Sequence, residues 1–325
     1  MRRRDFITLL GGAAAGWPLA ARAQQPMPVI GFLSGRSPGD SVELVHAFRQ
    51  GLAEVGYIEG RNVVIEYRHA DSNLDRVPGL AAELVRLGVN VIAAPGDSVG
   101  LAAKAATPTI PIIFVAGVDP IEAGIVASLN RPGGNATGVS MLNAELAPKR
   151  LELLHELVPG ATVMALLVNP KSPSNEAVSQ GVQAAARTLG LGLNVLQASS
   201  ERDFDAVFAD LVRLQAGGLL MATDGLFNSR SDRLGALTVR HAIPAIYQYR
   251  AFAAAGGLMS YGGSLIEGTR QVGIYTGRVL KGERPADLPV QQVTKVELIL
   301  NLRTAKAFGI NAPLSLVYRA DKVIE

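Results

Sequence analysis

The clearest indication of the fold class is the stretch PVIGFLSGRSPGDSVELVHAFRQGLAEVG at residues 28–56. It begins with an unbroken apolar run at 29–33, which is typical of a strand buried on both faces. Apolar side chains then recur every three or four residues and predict a helix over 40–55, which Gly56 ends. The buried stripe of this helix is formed by Leu44, Val45, Phe48, Leu52 and Val55. A buried strand followed by an amphipathic helix begins a βαβ unit and predicts a parallel sheet.

The same alternation of strand and helix continues along the chain and occurs twice. Apolar runs predict further strands at 63–67, 91–94, 112–116, 137–140, 163–168, 193–196, 218–221, 245–247 and 258–260. The two series, 28–140 and 162–260, are each long enough for a sheet of their own. We therefore predict an α/β protein of two Rossmann-like lobes with parallel sheets, and we expect a ligand cleft between them. The last 40 residues break the pattern, with a strand at 293–300 and a helix at 302–308 that we expect to tie the lobes together.

Composition excludes several classes of function. The 325 residues are 48% hydrophobic and 18% charged, which argues against disorder and for about two domains. Cysteine is absent, so disulfides, thiolate metal sites, a cysteine nucleophile and a lipidated cysteine anchor are excluded. Four of the 31 basic residues and one of the 28 acidic residues lie in 1–23, which leaves 27 of each in the rest of the chain. This balance excludes the basic surface that a nucleic-acid partner requires.

Residues 1–23 have the pattern of an export signal. Three arginines at 2–4 precede an apolar stretch from Phe6 to Ala20, and the small-x-small end at 21–23 predicts cleavage after Ala23. Residues 3–7 (RRDFI) are similar to the twin-arginine export motif, and an ordinary secretory signal is the alternative. We therefore expect a periplasmic protein that is soluble after cleavage.

One short motif has the spacing of a nucleophile elbow. Residues 96–100 read GDSVG, follow a predicted strand and open a predicted helix, as in α/β-hydrolases. Asp224 and His241 follow in the order of that fold, so Ser98, Asp224 and His241 are a candidate triad of an exported serine hydrolase. The same motif also suits a helix start whose free N–H groups bind a carboxylate, or a helix cap without a ligand.

No metal or cofactor is expected from the remaining motifs. The four histidines lack metal-ligand spacing. Residues 71–75 (DSNLD) begin like a calcium loop, but Arg76 stands where the loop needs glycine and Ala82 where it needs a bidentate glutamate.

Polar and aromatic residues cluster just after the predicted strands of both series. In open α/β sheets, ligands bind outside the carboxyl ends of the strands, so these residues are the candidate ligand-binding set. The set is Ser34, Gly35, Asp97, Ser98, Gly117, Asp119, Asn169, Thr223, Asp224, Tyr247, Tyr249 and Tyr261. The tyrosines offer flat apolar walls with polar tips, although each of these residues also suits a turn, a cap or lobe packing. Arg36 and Arg250 are candidates for binding a carboxylate.

Five stretches resemble one known family, the ABC-transporter substrate-binding proteins of the tryptophan/tyrosine-binding-like group. They are PVIGFLSG at 28–35, GLAEVGYIEGRNV at 51–63, AAKAATPTIPIIF at 102–114, DPIEAGIVASLNRPGGNATGVS at 119–140 and LNLRTAKAFGINAP at 300–313. The stretch at 119–140 is the most specific, and the resemblance covers essentially the whole chain after the leader. Asp97 departs from the small, glycine-rich loop that the family leads us to expect at this point.

The resemblance implies the type I periplasmic-binding-protein architecture, with two lobes joined by three crossings. The expected lobes are residues 27–142 with 257–291, and residues 143–256 with 292–325. The implied function is that of a non-enzymatic receptor that closes on a small carboxylate-bearing molecule, an amino acid or an aromatic acid, and delivers it to a membrane permease. By position, Ser98 and the 117–119 loop would hold the polar head of the ligand from one lobe, and Asp224 and the Tyr247 region from the other. A monomer is expected, and a sensory rather than a transport role stays open.

Overall fold

The structure is a computed structural model that describes residues 27–71, 73–141, 143–172, 175–293 and 295–325. The predicted leader at 1–23 lies outside these residues. The strands are β1 (Val29–Ser34), β2 (Val64–His69), β3 (Val91–Pro95), β4 (Ile112–Ala116), β5 (Ala136–Ser140), β6 (Val163–Val168), β7 (Gly192–Gln197), β8 (Leu219–Met221), β9 (Ala245–Tyr247), β10 (Met259–Gly263), β11 (Gln291–Gln292), β12 (Val296–Asn301) and β13 (Lys322–Ile324). The α-helices are α1 (Val42–Glu54), α2 (Val77–Arg86), α3 (Asp97–Ala106), α4 (Ala147–Leu157), α5 (Asn175–Leu189), α6 (Phe204–Arg213), α7 (Gly225–Ser229), α8 (Ser231–Arg240), α9 (Arg250–Ala254), α10 (Leu265–Leu280), α11 (Leu302–Ala307) and α12 (Leu314–Arg319).

The first lobe is built on a parallel sheet whose order within the described residues is β11-β5-β4-β3-β1-β2. Every residue of β3 and β4 is buried, because helices cover both faces of the sheet. One face packs around Leu84, Ala103 and Phe114, and the other around Phe48 and Val272. The predicted buried runs are therefore the central strands of this sheet.

Helix α10 belongs to the first lobe because it packs tightly on α1. A Cβ on Gly51 would lie 1.9 Å from the carbonyl oxygen of Arg270, and a Cβ on Gly273 would lie 2.2 Å from the carbonyl oxygen of Phe48. The two helices are therefore in backbone contact, which any side chain at these two positions would prevent.

The second lobe is built on a sheet whose order within the described residues is β13-β12-β10-β9-β8-β6-β7. Its pairs are parallel except for β12, which runs antiparallel to β10. The prediction of parallel sheets is thus confirmed for the first lobe and for most of the second. The sequence pattern predicts one helix over 226–240, but the structure has two helices there, α7 and α8, with Arg230 between them.

Within the described residues the chain passes between the lobes after β5, after β10 and after β11. The sequence assigned residues 257–291 to the first lobe, but β10 pairs with β9 and β12 of the second sheet. Residues 259–263 therefore belong to the second sheet, and the second crossing lies at Ser264, immediately before α10. The apolar run at 258–260 indicates a buried strand whichever sheet receives it, so the sequence pattern did not locate this crossing.

No helix within the described residues is long and apolar enough to cross a membrane.

Candidate functional site

A crevice that is partly open to solvent lies between the two lobes. The first lobe lines it with the loops that follow β1 and β3, and the second lobe with α7 and the residues after β9. The lining residues are Ser34, Gly35, Arg36, Leu74, Pro95, Gly96, Asp97, Ser98, Val99, Gly225, Asn228, Ser229, Tyr249 and Leu265. Since both walls come from the carboxyl ends of parallel strands, the crevice occupies the position at which open α/β sheets bind ligands.

The two lobes meet closely beside this crevice. The Ser98 hydroxyl oxygen lies 2.4 Å from the position that a Cβ on Gly225 would take. A Cβ on Gly117 would lie 2.9 Å from the Tyr249 hydroxyl oxygen and 3.3 Å from the Thr223 methyl group. Tyr249 comes from the second lobe but packs in the core of the first, and its hydroxyl points to the sulfur of Met141 at 3.8 Å. The structure therefore shows the lobes closed on each other.

Asp97 lies at the start of α3, in the wall contributed by the first lobe. Gly96 before it has φ of +149°, a value that favours glycine, and this lets the chain turn from β3 directly into the helix. The Asp97 Oδ1 atom accepts hydrogen bonds from the backbone N–H groups of Gly117 at 2.7 Å and Val118 at 3.3 Å. The Oδ2 atom is buried and has no hydrogen-bond partner among the described residues. Burial raises the pKa of Asp97 to about 6, against the lowering effect of the two N–H groups, and nearby Asp224 raises it further.

The wall from the second lobe is held in place by a hydrogen-bonded network. Asn228 Oδ1 accepts bonds from the Tyr247 hydroxyl at 2.5 Å and from Gln248 Nε2 at 2.7 Å, and Gln248 Oε1 accepts from the Thr223 hydroxyl at 2.6 Å. Asp224 caps α7 through the N–H of Leu226 at 2.8 Å. These bonds orient Asn228, which faces the crevice.

A second buried polar cluster lies outside the crevice and joins Asn143, at the first crossing, to β10, which ends just before the second. Arg150 of α4 is fully buried and donates through Nε to the Tyr261 carbonyl at 2.7 Å and through Nη2 to the Asn143 carbonyl at 2.5 Å. The Asn143 side chain accepts from the Gly263 N–H at 2.9 Å. Burial lowers the pKa of Arg150 to about 10, so the guanidinium stays charged at neutral pH. We call Arg150, Asn143, Tyr261 and Gly263 the hinge cluster.

The structure brings part of the predicted ligand-binding set together. Ser34, Gly35, Asp97, Ser98 and Tyr249 line the crevice, and Gly117 and Thr223 meet where the lobes touch.

Other members of the predicted set do not line the crevice. Asp119 caps a turn through the N–H groups of Ile121 and Glu122, and Asn169 donates to Asp224 Oδ2 at 3.1 Å. Both Asp224 oxygens are thus hydrogen-bonded. The rings of Tyr247 and Tyr261 pack in the core of the second lobe. The Tyr261 carbonyl accepts a hydrogen bond from Arg150 in the hinge cluster.

The candidate triad is not assembled. Ser98 and Asp224 lie at the carboxyl edges of their sheets, whereas His241 follows α8 and precedes β9, at the opposite edge of the second sheet. His241 contacts the Phe208 ring, with a centroid separation of 5.5 Å. The hydrolase alternative therefore lacks its general base.

Sequence reasoning did not select Asn228, Ser229, Asn143 or Arg150. Asn228 and Ser229 fall inside a predicted helix, where polar residues usually face solvent. Arg150 carried a usable signal, because it falls on the apolar stripe of α4 between Ala147 and Leu154. Within the described residues no group of three or more histidine, aspartate or glutamate side chains is placed to hold a metal ion.

Comparison with known proteins identifies the class. The family model described as "ABC transporter substrate binding protein" matches residues 28–324. A tyrosine-binding protein of Clostridioides difficile is 28% identical over 264 residues, which are 81% of this chain and 75% of that protein.

Two solved structures have the same fold over nearly the whole chain. One is the ABC domain from Streptococcus pneumoniae in complex with L-Trp, at 24% identity and a TM-score of 0.82. The other is a conserved domain protein from Vibrio cholerae, at 22% identity and the same TM-score. Each alignment covers 91% of this chain and 99% of the other.

The chain belongs to the ABC transporter substrate-binding protein family. The predicted type I periplasmic-binding-protein fold is confirmed, and so is the prediction that the protein is a ligand-binding component of a transporter and not an enzyme.

Proposed function

We propose that this protein is the exported receptor of an ABC importer, which closes its two lobes on an amino acid or an aromatic acid and delivers it to a membrane permease. Type I folds bind their ligands between lobes that rotate about the crossings. The crevice between Ser98 and Asn228 is the ligand site in this proposal, and the hinge cluster is where the closing motion is accommodated.

The observation that carries the proposal is the crevice itself. Polar groups from both lobes face it at the carboxyl ends of parallel strands, and the lobes touch at Ser98 and Gly225 beside it. Tyr249 and Leu265 add apolar surface to the same space. A small molecule with a polar head and a flat apolar body fits such a lining.

The class of ligand is supported by the relatives. The C. difficile relative is named for tyrosine binding, and the S. pneumoniae domain was solved with L-Trp. A solute-binding protein from R. palustris was solved with benzoate, at 16% identity and a TM-score of 0.50. These point to an aromatic amino acid first and an aromatic acid second.

Export and delivery rest on other observations. The leader pattern at 1–23 supports a periplasmic location, and the family supports a permease partner. A monomer presents the surfaces of both closed lobes to that permease. Permease and ATPase genes next to the gene for this chain would support a role in transport rather than in sensing.

A thermal-shift screen tests the proposal. The mature chain is melted with each common amino acid, with benzoate and its hydroxylated forms, and with nucleosides as a comparison class. We expect at least one amino acid or aromatic acid to raise Tm by several degrees, since ligand at 100 times Kd adds about 2.7 kcal/mol.

Variants then assign the site. Ser98→Ala combined with Asn228→Ala is expected to abolish the ligand-induced shift and to leave the unliganded melt cooperative. His241→Ala is the matched control, because it lies at the far edge of the second sheet and is expected to keep the shift. A full shift in the double variant would show that the ligand binds elsewhere.

A further inference from the structure

Only one of the two oxygens of the Asp97 carboxylate accepts hydrogen bonds within the described residues. Oδ1 is bonded to two backbone N–H groups, while Oδ2 has no hydrogen-bond donor among the described residues, although Asp97 is only 8% exposed. A buried acceptor without a donor costs free energy, and an ionised one costs more than a neutral one. No donor among the residues that the structure describes offsets this cost.

The unpartnered oxygen faces the junction of the two lobes. Asp97 Oδ2 lies 3.4 Å from the position that a Cβ on Gly117 would take, and the Tyr249 hydroxyl and the Thr223 methyl group surround that same position. Asp97 also lines the crevice. Oδ2 is itself buried in this closed form, so a donor from outside the protein reaches it only when the lobes open and then close around a bound molecule.

The charge around Oδ2 selects the kind of donor. Asp224 of the opposite lobe is the charged group that acts on Asp97, and it is negative. Arg36 and Arg150 act on the neighbouring Tyr249, but neither forms an ion pair with Asp97. A protonated amine offsets the negative charge and supplies the missing hydrogen bond, whereas a carboxylate at this point would be repelled.

We propose that Asp97 Oδ2 binds the protonated amine of the cargo, so that the crevice selects amine-bearing ligands over amine-free aromatic acids. The inference rests on the proposed function and narrows it to the amino-acid class. Asp97, the residue that departs from the glycine-rich loop expected here, is then the residue that determines specificity. The ligand carboxylate is left for other crevice groups, of which Arg36 is the cationic one.

Matched pairs of compounds test the proposal without any variant. Binding to the mature chain is measured by calorimetry for L-tyrosine against 3-(4-hydroxyphenyl)propionate, and for L-tryptophan against indole-3-propionate. The members of each pair differ in the amine. We expect the amine-free member of the pair that binds to be about 10- to 100-fold weaker, which is the value of a charge-assisted hydrogen bond.

Asp97→Asn completes a double-difference experiment. Asparagine keeps the acceptor for Gly117 and Val118 but removes the charge, so the preference for the amine is expected to fall to within about threefold. Glu122→Gln is the control, because Glu122 is an exposed acid of the same lobe that does not line the crevice. It is expected to leave the preference unchanged.

The outcomes separate the two proposals. An amine-free acid that binds as tightly as its amino acid overturns the amine site and leaves a receptor of aromatic acids. A preference for the amine that survives Asp97→Asn also overturns the site and leaves an amino-acid receptor whose amine contact lies elsewhere. If no member of either pair binds, and the wider screen of amino acids and aromatic acids is also negative, the proposed function falls and the amine site with it.

Discussion

The hinge cluster and the crevice each contain a buried charged side chain, and the two differ in where their unpartnered atoms lie. Arg150 is fully buried, and its Nε and Nη2 atoms donate to the Tyr261 and Asn143 carbonyls, while Nη1 has no hydrogen-bond partner among the described residues. Asp97 is almost as buried, and its Oδ2 atom likewise has no partner among those residues. Arg150 does not line the crevice, whereas Asp97 lines it and lies where the two lobes meet. A missing partner therefore does not by itself mark a binding charge, and the position of Asp97 at the crevice is what distinguishes it from the structural charge of Arg150.

The largest effect is expected at the hinge. Arg150→Met removes the donors to the Tyr261 and Asn143 carbonyls and leaves both buried, so we expect a loss of unfolding free energy on the order of 3 kcal/mol. Chemical denaturation of the unliganded protein measures it. Lys149→Met, one residue earlier in an exposed pair with Glu152, is the control and should change stability by less than about 0.5 kcal/mol. Equal losses of unfolding free energy in the two variants would contradict the structural role assigned to the buried Arg150.

A change in the contact between the lobes should act on binding instead. Gly117→Val places methyl groups against the Tyr249 hydroxyl and Thr223, which the closed form cannot accommodate. We expect affinity for the identified ligand to fall by about 100-fold, while the unliganded protein, free to open, keeps its stability to within about 1 kcal/mol.

Gly79→Val is the matched control for that substitution. It lies in α2, with no atom within 4 Å of the added Cβ, and should leave affinity unchanged. Unaltered affinity in Gly117→Val would mean that the lobes do not need this contact when they hold a ligand.

The smallest effect expected has the opposite sign. Burial raises the pKa of Asp97 to about 6, so the folded protein binds this proton more tightly than the unfolded chain does. Below about pH 4 the carboxyl is protonated in both the folded and the unfolded protein, and its burial does not lower the stability of the fold. The loss of stability grows as pH rises to 6 and is complete above it. Asp97→Asn should therefore stabilise the unliganded protein by on the order of 2 to 3 kcal/mol at pH 7.5 and by nearly nothing at pH 4. Thermal melts across this range measure the difference, and a variant that is less stable at pH 7.5 contradicts it.

Sequence patterns located β1 to β10 and β12, because most of these strands are continuous apolar runs, but they did not locate the short strands β11 and β13. They did not locate the second crossing, because the apolar run at 258–260 indicates a buried strand but not the sheet to which it belongs. That sheet is decided by the pairing of β10 with β9 and β12. The antiparallel direction of β12 was missed for the same reason.

The candidate site was predictable in part. Ser34, Asp97 and Ser98 were found because they follow strands of a regular βα series in the first lobe. Tyr247 ends β9 and Tyr261 lies in the middle of β10, and both rings pack into the core of the second lobe. The side of a sheet to which such a residue turns is fixed by packing, which the sequence pattern does not show. Arg150 falls on the apolar stripe of α4. A charged residue on such a stripe indicates a buried polar cluster, here the hinge cluster.

A crystal structure of the mature protein with the compound that raises Tm most tests the central claim directly. The account predicts that the compound lies in the crevice between the lobes, with its amine within hydrogen-bond distance of Asp97 Oδ2 and Asn228 on the opposite side. Density for the compound outside the crevice, or lobes that stay apart while it is bound, would contradict the account.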